Sequence, residues 1–133
     1  MHMADALISP AVGGTMWAAS AAAIGWSARR LRREEAGAGT AGDRTALMGV
    51  LGAFVFAAQM INISIPATGS SGHLGGGILL AALLGPWAAL PVIASVLIVQ
   101  ALFFADGGLL ALGCNIVNLG VIPCLLEIGR AHV

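Results

Sequence analysis

The chain has 133 residues, of which 59% are hydrophobic and 9% charged, with six basic and six acidic side chains and a formal net charge of zero. A mean hydropathy of +0.95, with so few charges compared with the quarter usual in soluble domains, is the composition of a membrane protein. A nucleic-acid binder is excluded, because the charge is balanced and there is no basic patch beyond one short arginine cluster.

The sequence opens MHMADALISP, with no basic segment before its first apolar residues. A cleaved export signal is therefore not expected, and the mature chain is expected to keep Met1. Residues 7–28 make a first apolar span, long enough as a helix to cross a hydrocarbon core of roughly 30 Å. It ends in RRLRREE, and residues 29–43, which continue as AGAGTAGD, are predicted to be a loop leaving the bilayer. Residues 45–65 form an uncharged second span that stops at Pro66. The Gly/Ser stretch ATGSSGHLGGG follows, with His73 inside it. Residues 78–105 are apolar for longer than one crossing needs, and GPW at 85–87 divides them into two helices, the first of them short. ADGG at 105–108 makes the next turn, Asp106 being read as a turn residue, and residues 109–126 form a fifth span that carries Asn115 and Asn118. Cys114 and Cys124 lack a CxxC partner and read as small buried hydrophobes.

The predicted architecture is all-α, a polytopic transmembrane bundle of about five helices forming one domain over residues 1–126. Four of the six basic residues lie between Arg29 and Arg33, and short basic loops stay in the cytoplasm. That places Met1 and His2 on the outer side of the cell membrane, and the second span returns His73 to the same side. Two ridges of small residues, Gly14, Ala18 and Ala22 in the first span and Gly49, Ala53 and Ala57 in the second, permit close helix approach. They serve either packing within the chain or docking against a partner membrane subunit.

The chemistry sits at the terminus. A free α-amine on residue 1, the backbone nitrogen of residue 2 and Nδ1 of a histidine at residue 2 can close adjacent five- and six-membered chelate rings on one metal ion. An imidazole from His73 would complete four nitrogens. Such a tetragonal set suits Ni(II) or Cu(II), tolerates Co(II) and fits Zn(II) poorly. Because amine and imidazole bind deprotonated, uptake is expected to weaken as pH falls. The alternatives are a frayed His2 and a merely solvated His73. Asp5 is read as the cap of the first helix, with orienting an imidazole as a second role. Gln59 and Asn62, near the outer end of the second span, and Ser71 beside His73 are supporting candidates. The sequence has no GxxxxGK[ST] motif, no nucleophile with a base and no intramembrane carboxylate pair. The expectation is a non-enzyme that cannot energise pumping alone. Rival readings are an organic-substrate carrier and a purely structural membrane subunit with no metal site.

Three stretches carry a family resemblance: MHMADALISP, FVFAAQMINISIPATGSSGHLGGGILLAALLGPWAAL and LIVQALFFADGGLLALGCNIVNLGV. Together they resemble the CbiM/NikM family, the substrate-capture membrane components of energy-coupling-factor transporters for cobalt and nickel. The resemblance implies a Co(II) or Ni(II) site formed by the amine of Met1, the backbone nitrogen and side chain of His2, and the imidazole of His73, with no organic cofactor. It also implies partners, namely a transmembrane coupling subunit, two cytoplasmic ATPases and a small accessory membrane protein. Family members have about seven membrane helices, so the chain is expected to be shortened at its C-terminus. Residues 127–133, EIGRAHV, resemble a translated sequencing adapter and are expected not to be native, which sets Glu127, Arg130 and His132 aside.

Overall fold

The computed structural model describes residues 2–38, 41–67 and 70–130. Helix α1 spans Pro10–Ala38. Proline suits a first helical position, and the Ser9 hydroxyl accepts from the Val12 N–H at 3.3 Å, so Ser9 and not Asp5 caps this helix. At 29 residues α1 is about 43 Å long, longer than one crossing requires. The predicted loop at 29–43 is therefore corrected: RRLRREE continues the helix, and α2, Ala41–Met60, starts within the same stretch. Arg, Leu, Glu and Ala are strong helix formers, and their preference outweighs the glycines. An Arg44–Glu34 ion pair at 3.2 Å ties the two helices at this end.

The second helix ends sooner than the apolar run does. Ile63–Ile65 is strand β1, and it pairs antiparallel with β2, Ser70–Gly72, Ile63 lying opposite Gly72. β-Branched residues ahead of a proline favour extended backbone. Helix α3, Gly77–Leu84, and helix α4, Pro86–Phe103, meet at Gly85, whose φ of +79° makes the corner with Pro86 at the start of α4. The division predicted at GPW is what the structure has. Helix α5, Leu112–Arg130, contains a π-helical turn at Val117–Val121. Pro123 has no N–H to give to the carbonyl of Leu119, so the ladder widens there. Glu127 and Arg130 lie in the last turns of α5, paired at 2.6 Å, and His132 lies outside the described residues.

Five helices, a short 3-10 turn at Asp5–Leu7 and one short hairpin are the regular elements of the described residues, an all-α transmembrane bundle. Helices Pro86–Phe103 and Leu112–Arg130 are long and apolar enough to cross a membrane. Helix α4 is central, burying Leu90, Ile93 and Leu97 together with Leu80 of α3 and Leu112 and Ile116 of α5. The closest helix contacts use glycine. Gly113 lies against the α1 backbone at Met16 and Trp17, and its carbonyl accepts from the Ser20 hydroxyl at 2.8 Å. Gly120 meets Leu90 and Ile93, and Gly52 meets Val92. The two predicted ridges do not make these contacts among the described residues: Gly14, Ala18, Ala22, Gly49, Ala53 and Ala57 are all exposed.

Candidate metal centre

The segment before α1 folds back over one end of the bundle as a strap. The Met3 N–H donates to Asn115 Oδ1 at 2.8 Å, and the Met3 carbonyl accepts from the Gly108 N–H at 3.0 Å and from Asn115 Nδ2 at 3.5 Å. Both backbone groups of residue 3 are thereby satisfied. Asp5 Oδ1 accepts from the Ala111 N–H at 2.9 Å, the residue just ahead of α5, so this carboxylate caps the fifth helix and not the first. The DGG turn is shaped to receive the strap. Gly107 has a φ of +94°, and a Cβ on it would stand 3.0 Å from that of His2, while Gly108 lies directly against the Asp5 carboxylate.

The strap delivers His2 into the bundle end, where it is 3% exposed. Its Nδ1 lies 3.0 Å from Asp106 Oδ1 and 3.1 Å from His73 Nε2, with the two imidazole centroids 4.5 Å apart. His73 Nδ1 faces the Leu74 carbonyl at 2.8 Å. A carbonyl only accepts, so Nδ1 of His73 carries the proton and its Nε2 lone pair points at His2. Asp106 is therefore more than the turn residue predicted: its other oxygen accepts from Asn62 Nδ2 at 3.3 Å. Gln59, fully buried, donates from Nε2 to the Gly75 carbonyl at 2.8 Å and holds the loop that presents His73. Close approach of that loop to α2 depends on Gly76, at φ +75°, where a Cβ would meet Val55 at 2.5 Å.

Burial pushes the imidazole of His2 below the usual histidine range, against the opposing pull of the Asp106 carboxylate. Burial likewise lowers His73, against its bond to the Leu74 carbonyl. Both rings are thus biased to the neutral form that a metal needs. For a metal–nitrogen bond of about 2.0–2.1 Å, two nitrogens at adjacent corners of a square stand about 2.9 Å apart. The His2–His73 spacing is close to that edge. A single proton on His2 Nδ1 cannot serve both Asp106 and His73, whereas a cation between them would. No group of three or more His, Cys, Asp or Glu side chains forms a metal cage among the described residues. Met1 and the side chain of Ser71 lie outside the described residues.

The family described as the cobalt uptake substrate-specific transmembrane region matches residues 2–132. The chain belongs to this family. A metal transport protein of Haloquadratum walsbyi is 40% identical over 129 residues, covering 97% of this chain and 56% of its own length. The fused nickel transport protein NikMN of Rhodobacter capsulatus is 38% identical over 122 residues, 92% of this chain and 33% of its own. A crystal structure of a truncated transition metal transporter superposes with a TM-score of 0.85 at 34% identity, covering 97% of this chain and 57% of that one. The chain thus spans between a third and just over half of these relatives.

Of the residues predicted from sequence, His2 and His73 come together, and Gln59 and Asn62 stand one hydrogen bond from the parts that hold them. Sequence reasoning missed Asn115 and undervalued Asp106. Asn115 did carry a signal, because a polar side chain within an apolar span needs a partner, but nothing in the sequence says that the partner is residue 3.

Proposed function

We propose that the chain is the metal-capture membrane unit of an energy-coupling-factor importer, with Ni(II) or Co(II) as its substrate. In this reading the ion is held by the Met1 amine, the main-chain nitrogen and Nδ1 of His2, and Nε2 of His73. The observation that carries it is the 3.1 Å approach of His2 Nδ1 to a His73 Nε2 whose lone pair is aimed by the Leu74 carbonyl. Asp106, which faces the same His2 nitrogen, supplies compensating negative charge beside the ion, and Asn62 steadies Asp106. The Gly-rich loop at His73 is a natural gate for entry.

Orientation and partners complete the reading. The strap, the hairpin and the DGG turn face the outside, and the arginine-bearing end of α1 faces the cytoplasm, as the basic bias requires. A transmembrane coupling subunit, two ATPases and a small accessory membrane protein energise and complete the importer. The exposed ridges Gly14–Ala18–Ala22 and Gly49–Ala53–Ala57 are its docking faces, since small residues allow close helix approach. The second borders a groove of about 440 Å³ between α2 and α4, lined also by Pro91 and Ser95. Calorimetric titration of the detergent-purified chain with Ni(II) and Co(II), beside a version with one extra residue before Met1, tests the site. The natural terminus is expected to bind and the extended one to lose binding; equal affinities would end the proposal.

A further inference from the structure

The end of the bundle opposite His2 carries a cluster that metal capture does not use. Trp26, Arg29, Arg30 and Arg33 line one pocket of about 170 Å³. Spacings of three and four residues put all four side chains on one stripe of α1. The guanidinium of Arg30 lies 5.7 Å from the Trp26 ring centre and 5.8 Å from that of Trp87. Those two rings meet edge to face at 4.8 Å, and the Ser27 hydroxyl donates to the Trp87 carbonyl at 2.7 Å, fixing α1 to the start of α4.

Three features point to what this pocket takes. First, the cations are not neutralised locally: among the described residues no carboxylate pairs with Arg29, Arg30 or Arg33, and Glu34 on the same helix turns aside to Arg44. Second, the depth is that of a headgroup. Trp87 opens an 18-residue apolar helix of about 27 Å, so the Trp26–Trp87 pair marks one edge of the hydrocarbon, where indole rings collect. The arginines at 29, 30 and 33 then stand at and just past that edge. Third, Trp26 is 51% exposed, an apolar wall against which an acyl chain can lie.

We propose that the Arg29–Arg30–Arg33 stripe beside Trp26 is a binding site for the phosphate headgroup of an anionic phospholipid. Arg30 is preordered by the two indoles, and Arg29 and Arg33 supply the further donors a phosphate oxygen set requires.

Native mass spectrometry of the full chain, titrated with phosphatidylglycerol or phosphatidylcholine, tests it. One phosphatidylglycerol is expected to be retained in preference to phosphatidylcholine. The double variant Arg29→Gln/Arg33→Gln should bind it about thirtyfold more weakly, at the usual worth of two basic contacts with a lipid surface. Arg32→Gln removes one charge from a different face of the same helix and should change retention less than twofold. Equal loss from Arg32→Gln, or no preference between the lipids, overturns the proposal in favour of diffuse attraction. Displacement by millimolar inorganic phosphate would assign the site to a soluble anion.

Discussion

His2 and His73, 71 residues apart in sequence, place Nδ1 and Nε2 3.1 Å from one another. Asp106 Oδ1 stands 3.0 Å from the same His2 nitrogen. Two close contacts thus meet at one nitrogen that can carry only a single proton, and the proposed metal function rests on that geometry. Its consequences are open to measurement.

Asp106→Asn keeps the shape of the side chain and removes the charge facing His2. The proposed ion then loses a compensating negative charge at its edge, and loss of a group that supports a metal site costs about 10–100-fold in metal affinity. Titration with Ni(II) is expected to show at least the lower figure. An unchanged affinity would leave Asp106 a turn residue only.

The two imidazoles make stability depend on pH with a definite sign. Burial lowers both in the folded chain, while in the unfolded chain they titrate near the ordinary value of about 6.5. Below that value the unfolded chain binds protons that the folded one refuses, so stability is fully present above it and is lost as pH falls toward the lowered folded values. Unfolding of the metal-free chain in mixed micelles, followed from pH 8 to pH 5, should show this decline. His73→Ala should flatten it.

Asn115 is 1% exposed and supplies the acceptor for the Met3 N–H. Asn115→Leu leaves that donor unpaired and should destabilise the strap by about 1–3 kcal/mol. Faster deuterium exchange at the Met3 amide and weaker Ni(II) binding are expected together, with the helix content of the bundle retained. Exchange at Met3 as slow as in the natural chain would show that the clasp does not hold the strap.

Ala105 adopts a φ of +51° at the turn that carries Asp106. Left-handed backbone costs a residue with a Cβ about 1–2 kcal/mol, and glycine returns part of that through its freedom when unfolded. Ala105→Gly is expected to raise stability by about 0.5–1 kcal/mol, read as a shift in the denaturant midpoint, with metal affinity unchanged.

How much of this was visible in the residues themselves differs from element to element. The corner at Gly85 and Pro86 was legible, because a proline fixes its own φ and lacks an N–H wherever it stands. The boundary at Arg29 was not: hydropathy reports where a helix leaves lipid, whereas RRLRREE has the propensity to stay helical beyond it, so α1 ends at Ala38. Strand β1 was hidden for a related reason, since Ile-Ser-Ile is as apolar as the helix before it and only pairing with Ser70–Gly72 separates the two.

The sequence by itself determined the membrane class and singled out His2 and His73 as candidate donors. These depend on atom types and on covalent spacing, which a string of residues states in full. Only the tertiary structure decided that Asp106 faces His2, that Asn115 grips Met3, that Asp5 caps the fifth helix, and that glycines at 107 and 108 clear the space for the strap. Each of these joins residues about a hundred positions apart. A polar side chain in an apolar span announces that it needs a partner, but which partner is settled by helix packing, and packing is a property of all five helices at once.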